Sequence, residues 1–548
     1  MSILWASALA LAAVGAVDEP AGHAHDHHPQ LGEVRFDTAC AHPAAEAFRE
    51  GLGWLHSFQY EQAARTFAEA AARDPDCAIA RWGIAMSHFH PLWAPPSAAE
   101  LEAGRRALAE ARTAGTASTR ERDYIAALNV FYDDSGKLDH KRRVLAYGAA
   151  MEALHARYPD DHEAAVFNAL ALMAAGAIER DPGFARERRA GEILNRVFAA
   201  APEHPGVTHY LIHTFDYPTL ADLALPAARR YAQIAPDSPH ALHMPSHIFV
   251  RLGLWDEAIA SNVASEASAR TMARKLGLPG ASSEQLHAMD YLAYGYLQTG
   301  QDAKAEAVLA DLLAMRRIDP PVFQVAFAVT AIPARLALER KQWKAAAALE
   351  LTDRVRTLAH LGDFSLGEAH LRFARAIGTA RSGNVAAARR EVAEIEAIEN
   401  ALTVPSGAYD WRTQVTIARR IAAAWLARAE GRDTEAVAAM RAAADLDDAT
   451  EKHPVTPGAI LPAREQLGEL LLELDRPGEA LEAFRVSLQR APNRLFGLAG
   501  AARAASLAGR ADEAQRLYAQ IVAQTAKADA TRAEVAEARA AVKRLSVR

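Results

Sequence analysis

The sequence predicts an all-α protein, a right-handed α-solenoid of about ten stacked helix pairs ended by a C-terminal capping helix. Three observations carry that prediction. Ala, Leu, Glu and Arg dominate nearly everywhere and β-branched stretches are scarce, which favours helix over strand. A hydrophobic share of 51% beside 24% charged residues excludes a disordered chain and a multi-span membrane protein. The chain also repeats itself. Ala44, Gly51, Trp54, Tyr60, Ala63, Phe67, Ala70 and Pro75 mark one helix–turn–helix unit, and its turn recurs around Gly253, Gly300, Gly383, Gly431, Gly478 and Gly509. One such unit cannot bury its own apolar stripe, so neighbours stack and leave a concave groove.

The elements follow in order. Residues 1–16 read MSILWASALALAAVGA, without a charge. Roughly a dozen apolar residues are too few to span a bilayer and suit the core of a signal peptide. Val14-Gly15-Ala16 supplies small residues for cleavage, although no Lys or Arg precedes the apolar run. The expectation is export to a bacterial periplasm or beyond, with no integral membrane span after signal removal. Residues 17–36 form a His-rich tail carrying His23, His25, His27 and His28, able to capture metal or to serve as a solvated linker. Residues 37–315 make an N-terminal array with a His-lined groove, and residues 316–548 a C-terminal array whose last segment, 529–548, is the cap. Export would let the two cysteines, Cys40 and Cys77, form a bridge worth ~3 kcal/mol; two buried thiols are the alternative. Net charge is −7, from 61 Lys and Arg against 68 Asp and Glu. That balance offers no basic excess for nucleic acid.

The unit from Ala44 to Pro75 resembles the 34-residue tetratricopeptide (TPR) repeat. The whole chain also resembles exported bacterial TPR proteins of unassigned activity that share Phe58-Gln59-Tyr60, Trp82-Gly83-Ile84-Ala85-Met86 and Pro492-Asn493-Arg494. The resemblance implies that positions 2, 5 and 9 of each first helix line the groove, roughly 150° from the packing face. In three consecutive repeats those positions are Gly206, His209, His213; His240, His243, His247; and His287, Asp290, Tyr294. Random placement of 21 histidines over 548 residues would leave fewer than one in nine such slots; here there are six.

Imidazoles paired at i,i+4, joined by a carboxylate from a neighbouring helix, are what a transition metal requires. The candidate ligands are His209, His213, His243, His247, His287 and Asp290, with His240, Asp216, Tyr294 and Glu163 as further groove residues. Neutral imidazole suits copper, zinc or iron, and the lack of thiols disfavours Cu(I) and iron–sulfur chemistry. Pro245 cuts both ways: it removes a backbone donor between His243 and His247, and a kink there also turns side chains towards one point. Trp82, Met86, Phe89 and His90 mark groove positions of the second repeat and read as packing or as a cap over a ligand. His370 takes the position-2 slot after Glu368, and Glu465, Glu469 and Glu473 read as a salt-bridged face or a polar ligand patch opposite Asn493, Arg494 and Arg503. No phosphate loop, nucleophile elbow, HExxH or dinucleotide fingerprint is present.

Three functions remain open. The protein stores, senses or delivers a metal; or the metal is catalytic, with Asp216, Asp290 or Glu163 as base; or the groove is a scaffold for a peptide, protein or small-molecule ligand without metal.

Overall fold

A computed structural model describes residues 28–548 except 93–94, 134–135, 351, 360–364, 405–408, 530–531 and 546–548. The expected signal peptide and all of the His-rich tail before His28 lie outside the described residues.

The chain is an all-α solenoid. Among the described residues the helices fall into twelve successive hairpins, from His42–His56 with Tyr60–Arg73 to Leu495–Leu507 with Ala511–Gln524, and Ala533–Leu545 follows as the cap. Repeat turns indicated about ten; Ala78–Ser87 with Ala98–Thr113, and Thr119–Tyr132 with His140–Arg157, are joined by longer loops that hide the period. Small residues let helices approach within a hairpin and between neighbouring hairpins. A Cβ on Gly51 or Gly83 would lie 2.6 or 2.5 Å from the Phe67 ring. Beyond the helices, Ala281–Ser282 pairs in parallel with Ile318–Asp319.

Buried side chains form a core running from Leu31 to Tyr294, another from Phe327 to Ala541, and a smaller one from Leu286 to Val355 between them. Cys40 and Cys77 are disulfide-bonded, with Cα atoms 4.9 Å apart. The segment after His28 is pinned across the array. Gln30 N donates to Asp237 Oδ2 at 2.8 Å and Glu33 N to Glu203 O at 2.9 Å.

The C-terminal repeats fold back on the central ones. Gly253 sits at φ +64°, and a Cβ there would meet Pro492 O at 2.3 Å, so both the turn and the close approach require glycine. Trp255 Nε1 donates to Asn493 O at 2.7 Å. Arg494, fully buried, donates to Glu465 at 2.7 and 3.0 Å, Glu339 at 2.6 Å and Tyr294 Oη at 2.6 Å. Arg532 Nε lies 2.9 Å from both oxygens of Asp302. The acidic stripe is consumed the same way, Glu469 by Lys341 at 2.7 Å and Glu473 by Arg381. Among the described residues the interior face of the central repeats is therefore covered by the chain itself rather than left as an open groove.

Candidate metal centre

Four helices supply six histidines: Pro205–Phe215 gives His209 and His213, Pro239–His243 gives His240 and His243, Pro245–Arg251 gives His247, and Ser283–Gln298 gives His287. Their starts are written locally. His204 caps the first, its Nδ1 accepting from Val207 N at 3.3 Å, and Ser238 caps the second through Ala241 N at 3.2 Å. Each cap precedes a proline in the first turn, where no N–H is needed. Pro245 divides one helix into two short ones, but Met244 stays helical at φ −54° and ψ −36°. The bend keeps His243 and His247 on one face and turns His240 towards the preceding hairpin.

The histidines gather as two adjacent trios, His243/His247/His287 and His209/His213/His240, with ligand atoms inside each trio within 4.8 Å of one another. Between them, the His213 and His247 rings are 6.2 Å apart and those of His240 and His243 6.4 Å. Burial is nearly complete except at His213, which is half-buried: His209 is 0%, His243 2% and His247 3% exposed. Burial, then neighbouring histidines, pushes His209, His240, His243 and His287 well below the ordinary imidazole range. His213 is pushed down to about 3 by the same causes.

Fixed partners set the tautomers. Asn262 Nδ2 donates to Ala258 O at 2.8 Å, so its Oδ1, 2.7 Å from His243 Nδ1, accepts a proton from that nitrogen. Asp216 Oδ2 accepts from His247 Nδ1 at 3.1 Å. Burial works against the Asp216 carboxylate, yet Lys452 (3.3 Å), Arg251 (2.8 Å) and His247 hold it far below the usual carboxylate range. Both Nδ1 atoms therefore carry hydrogen, and both Nε2 atoms present lone pairs. Those two Nε2 atoms face each other at 3.0 Å. Two imidazole nitrogens on one tetrahedral ion, at roughly 2.0–2.1 Å from it, lie about 3.3 Å apart. Tyr291 closes this trio, its Oη 3.4 Å from His247 Nε2 and its ring 4.7 Å from that of His243. In the other trio His209 Nδ1 donates to His56 O at 2.6 Å, and its Nε2 lies 3.1 Å from His240 Nε2. Phe58 covers it, 4.3 Å from the His209 ring and stacked 5.4 Å from His213.

The carboxylates are placed otherwise than the sequence suggested. Asp290 is no ligand here: Arg335 Nη1 donates to it at 2.7 Å, because this arginine, fully buried, needs a carboxylate more than the histidines do. Asp216 orients His247 rather than joining the trio. Tyr294 points to Arg494. Glu163 accepts from His56 Nε2 at 2.8 Å and His204 Nε2 at 2.7 Å. Burial opposes its ionisation, but the two histidines hold it below the ordinary range. With His56 Nδ1 at 3.0 Å from Tyr210 Oη and His204 Nδ1 occupied by the cap, this His–Glu–His group satisfies itself by hydrogen bonds. It also fixes the carbonyl of His56 that orients His209. Sequence reasoning missed His56, His204, Asn262 and Tyr291. Only Tyr291 carried a signal, its i,i+4 spacing from His287.

A cavity of about 170 Å³ lies behind the Asp216 cluster, sharing Arg251 and Lys452 with it and walled by Phe327, His370, Trp411 and His453. Trp411 stacks on His453 at 5.0 Å. Val455 N donates to His453 Nδ1 at 3.2 Å, leaving Nε2 as the donor. Lys452 is pushed down to about 8, burial outweighing Asp216.

No family model matches the chain, and no curated protein matches it. Among solved structures the chain is similar to the human IFIT1 dimer with m7Gppp-AAAA, at 12% identity over 81% of this chain and 89% of that one, with a TM-score of 0.37. It is also similar to Naa15/Naa10 bound to HypK-THB (13% identity, 92% and 74% covered, TM-score 0.24) and to the P58(IPK) TPR domain (14%, 71% and 100%, TM-score 0.21). The fold and its hairpins define a helical-repeat protein, an all-α solenoid. No helix among the described residues is long and apolar enough to cross a membrane.

Proposed function

We propose that this is an exported TPR-type protein that encloses a transition-metal ion at His243, His247 and His287. The observation that carries the reading is the pair of Nε2 lone pairs facing at 3.0 Å, each committed by a hydrogen bond behind it. Such an arrangement is repulsive without a cation between the nitrogens, and the backing acceptors are the outer-shell partners that tune metal-bound histidine. Engagement of Asp290, Asp216 and Glu163 elsewhere leaves imidazole as the donor, which suits zinc or copper better than iron. Three protein ligands leave a fourth position, the mark of a catalytic rather than a structural site. The cavity beside Asp216 supplies room for a small molecule with an apolar body, Lys452 and His453 offering donors to an anionic or carbonyl end. Export fits the disulfide, since such bridges persist in oxidising compartments.

Elemental analysis of untagged protein tests the reading. The expected result is a stoichiometric transition metal, reduced in a His243→Ala/His247→Ala variant whose helical circular dichroism is unchanged. Metal content near zero in both proteins, even after incubation with zinc and copper, overturns it.

A further inference from the structure

Resting on that reading, we infer that the centre is dinuclear: a second ion sits beside the first, held by His209, His213 and His240. Three observations point to it. The His56 carbonyl takes the proton of His209 Nδ1 at 2.6 Å, so His209 Nε2 is a lone pair, and it meets His240 Nε2 at 3.1 Å, nearly the separation found in the first trio. His213 Nε2 is buried and has no hydrogen-bond partner, an expensive state for an imidazole nitrogen unless something else binds it. The trios also share a wall, with rings of one trio 6.2 and 6.4 Å from rings of the other.

The neighbouring His56–Glu163–His204 group sets the contrast. Its ring nitrogens and its carboxylate meet in complementary donor–acceptor pairs at 2.7 to 3.0 Å, so it needs no ion and is assigned none. In the first trio the two facing Nε2 atoms are both lone pairs, and in the second His213 Nε2 is left without a partner, so neither trio is satisfied in the same way.

The donor set names the class of ion. Iron and manganese pairs in helical proteins are bridged by glutamates, and here every nearby carboxylate is engaged by Arg251, Lys452, Arg335 or a histidine N–H. Six imidazoles alone suit copper or zinc. Charge and ligand type pull apart here. Two divalent ions would bury four positive charges beside Arg251 and Lys452, whereas a monovalent copper pair buries half that charge, at a lower desolvation cost. The lack of thiols, however, disfavours Cu(I), so the test covers both ions.

The test uses the full chain with His23, His25, His27 and His28 replaced by Ala, so that the tail does not add to the count. Metal-free protein is loaded separately with Cu(I) under anaerobic conditions and with Zn(II), then desalted, and its metal is measured. Two equivalents are expected, falling to one in His213→Ala/His240→Ala and to one in His243→Ala/His247→Ala. His213→Gln, a milder change, is expected to weaken only the second equivalent, and the arm that retains two equivalents identifies the ion. A single equivalent that survives His213→Ala/His240→Ala and disappears in His243→Ala/His247→Ala overturns the second ion and leaves the proposed function standing. No retained metal in either arm overturns both.

Discussion

At the scale of the residue, the centre depends on which nitrogen of each histidine carries the proton, and Asp216 decides that for His247. It also neutralises Arg251 and Lys452, whose side chains are largely buried around it. Replacing Asp216 by Asn keeps an acceptor for His247 but leaves Lys452 without its carboxylate and Arg251 with only Glu451, 3.5 Å away. Breaking a buried pair in this way costs about 3–5 kcal/mol, and loss of an outer-shell partner lowers metal affinity 10–100-fold. The expected outcome for Asp216→Asn is thus a lower urea midpoint and weaker metal retention together, read by denaturation and by competition with a chelator. Asn262→Leu removes only the acceptor behind His243, so weaker metal binding is expected there with a smaller stability change, about 1–3 kcal/mol. The histidine register was legible because six imidazoles recur at one helical spacing. The fate of the carboxylates was not. Asp290 is claimed by Arg335, 45 positions further on, and Asp216 by Lys452, 236 positions away, and no local pattern announces either pairing.

At the scale of the element, hairpins follow from the repeat, and their docking follows from single buried arginines. Pro492-Asn493-Arg494, which marked the sequence resemblance, welds the C-terminal repeats to the central ones through Glu339, Glu465 and Tyr294. Arg494→Met is expected to destabilise by about 3–5 kcal/mol, since it strands two carboxylates in the core. Adding Glu339→Gln and Glu465→Gln should recover part of that loss in urea unfolding. Phe58, from a second shared motif, turned out to lid the His209 trio, whereas Trp82 packs edge-on against Tyr124 and Phe167 as a core residue. Pro245 shows why the sequence alone left the site geometry open. A proline removes a hydrogen bond, but whether the helix stops or bends depends on what packs against it. Here Met244 remains helical, and the two histidines on either side meet.

At the scale of the whole molecule, acid is expected to act through histidines kept neutral by burial. His370 and His453 line the cavity and are pushed down to about 3, by burial and, to a lesser degree, by nearby cations. Their folded-state values lie below the ordinary 6.5, so the unfolded chain binds more protons as the pH falls. Their contribution is complete above pH 6.5 and is lost progressively towards pH 3, by up to about 1.4 kcal/mol per pH unit for each group. Melting temperatures recorded from pH 7.5 to 4.5 should fall, and should fall less steeply in a His370→Gln/His453→Gln variant. Removing the Cys40–Cys77 bridge by Ser substitution should cost roughly 3 kcal/mol, measured as the difference in urea unfolding. The solenoid was legible from its period. The closure that buries its histidine-lined face was not, because it is made by contacts between repeats far apart in the chain. The most direct measurement of the central claim is anomalous diffraction from crystals grown after metal loading. A peak is expected within about 2.0–2.2 Å of both His243 Nε2 and His247 Nε2, with His247 Nδ1 still bonded to Asp216. The contrary result is density without anomalous signal there, with one of the two imidazoles turned to donate a hydrogen bond to the other.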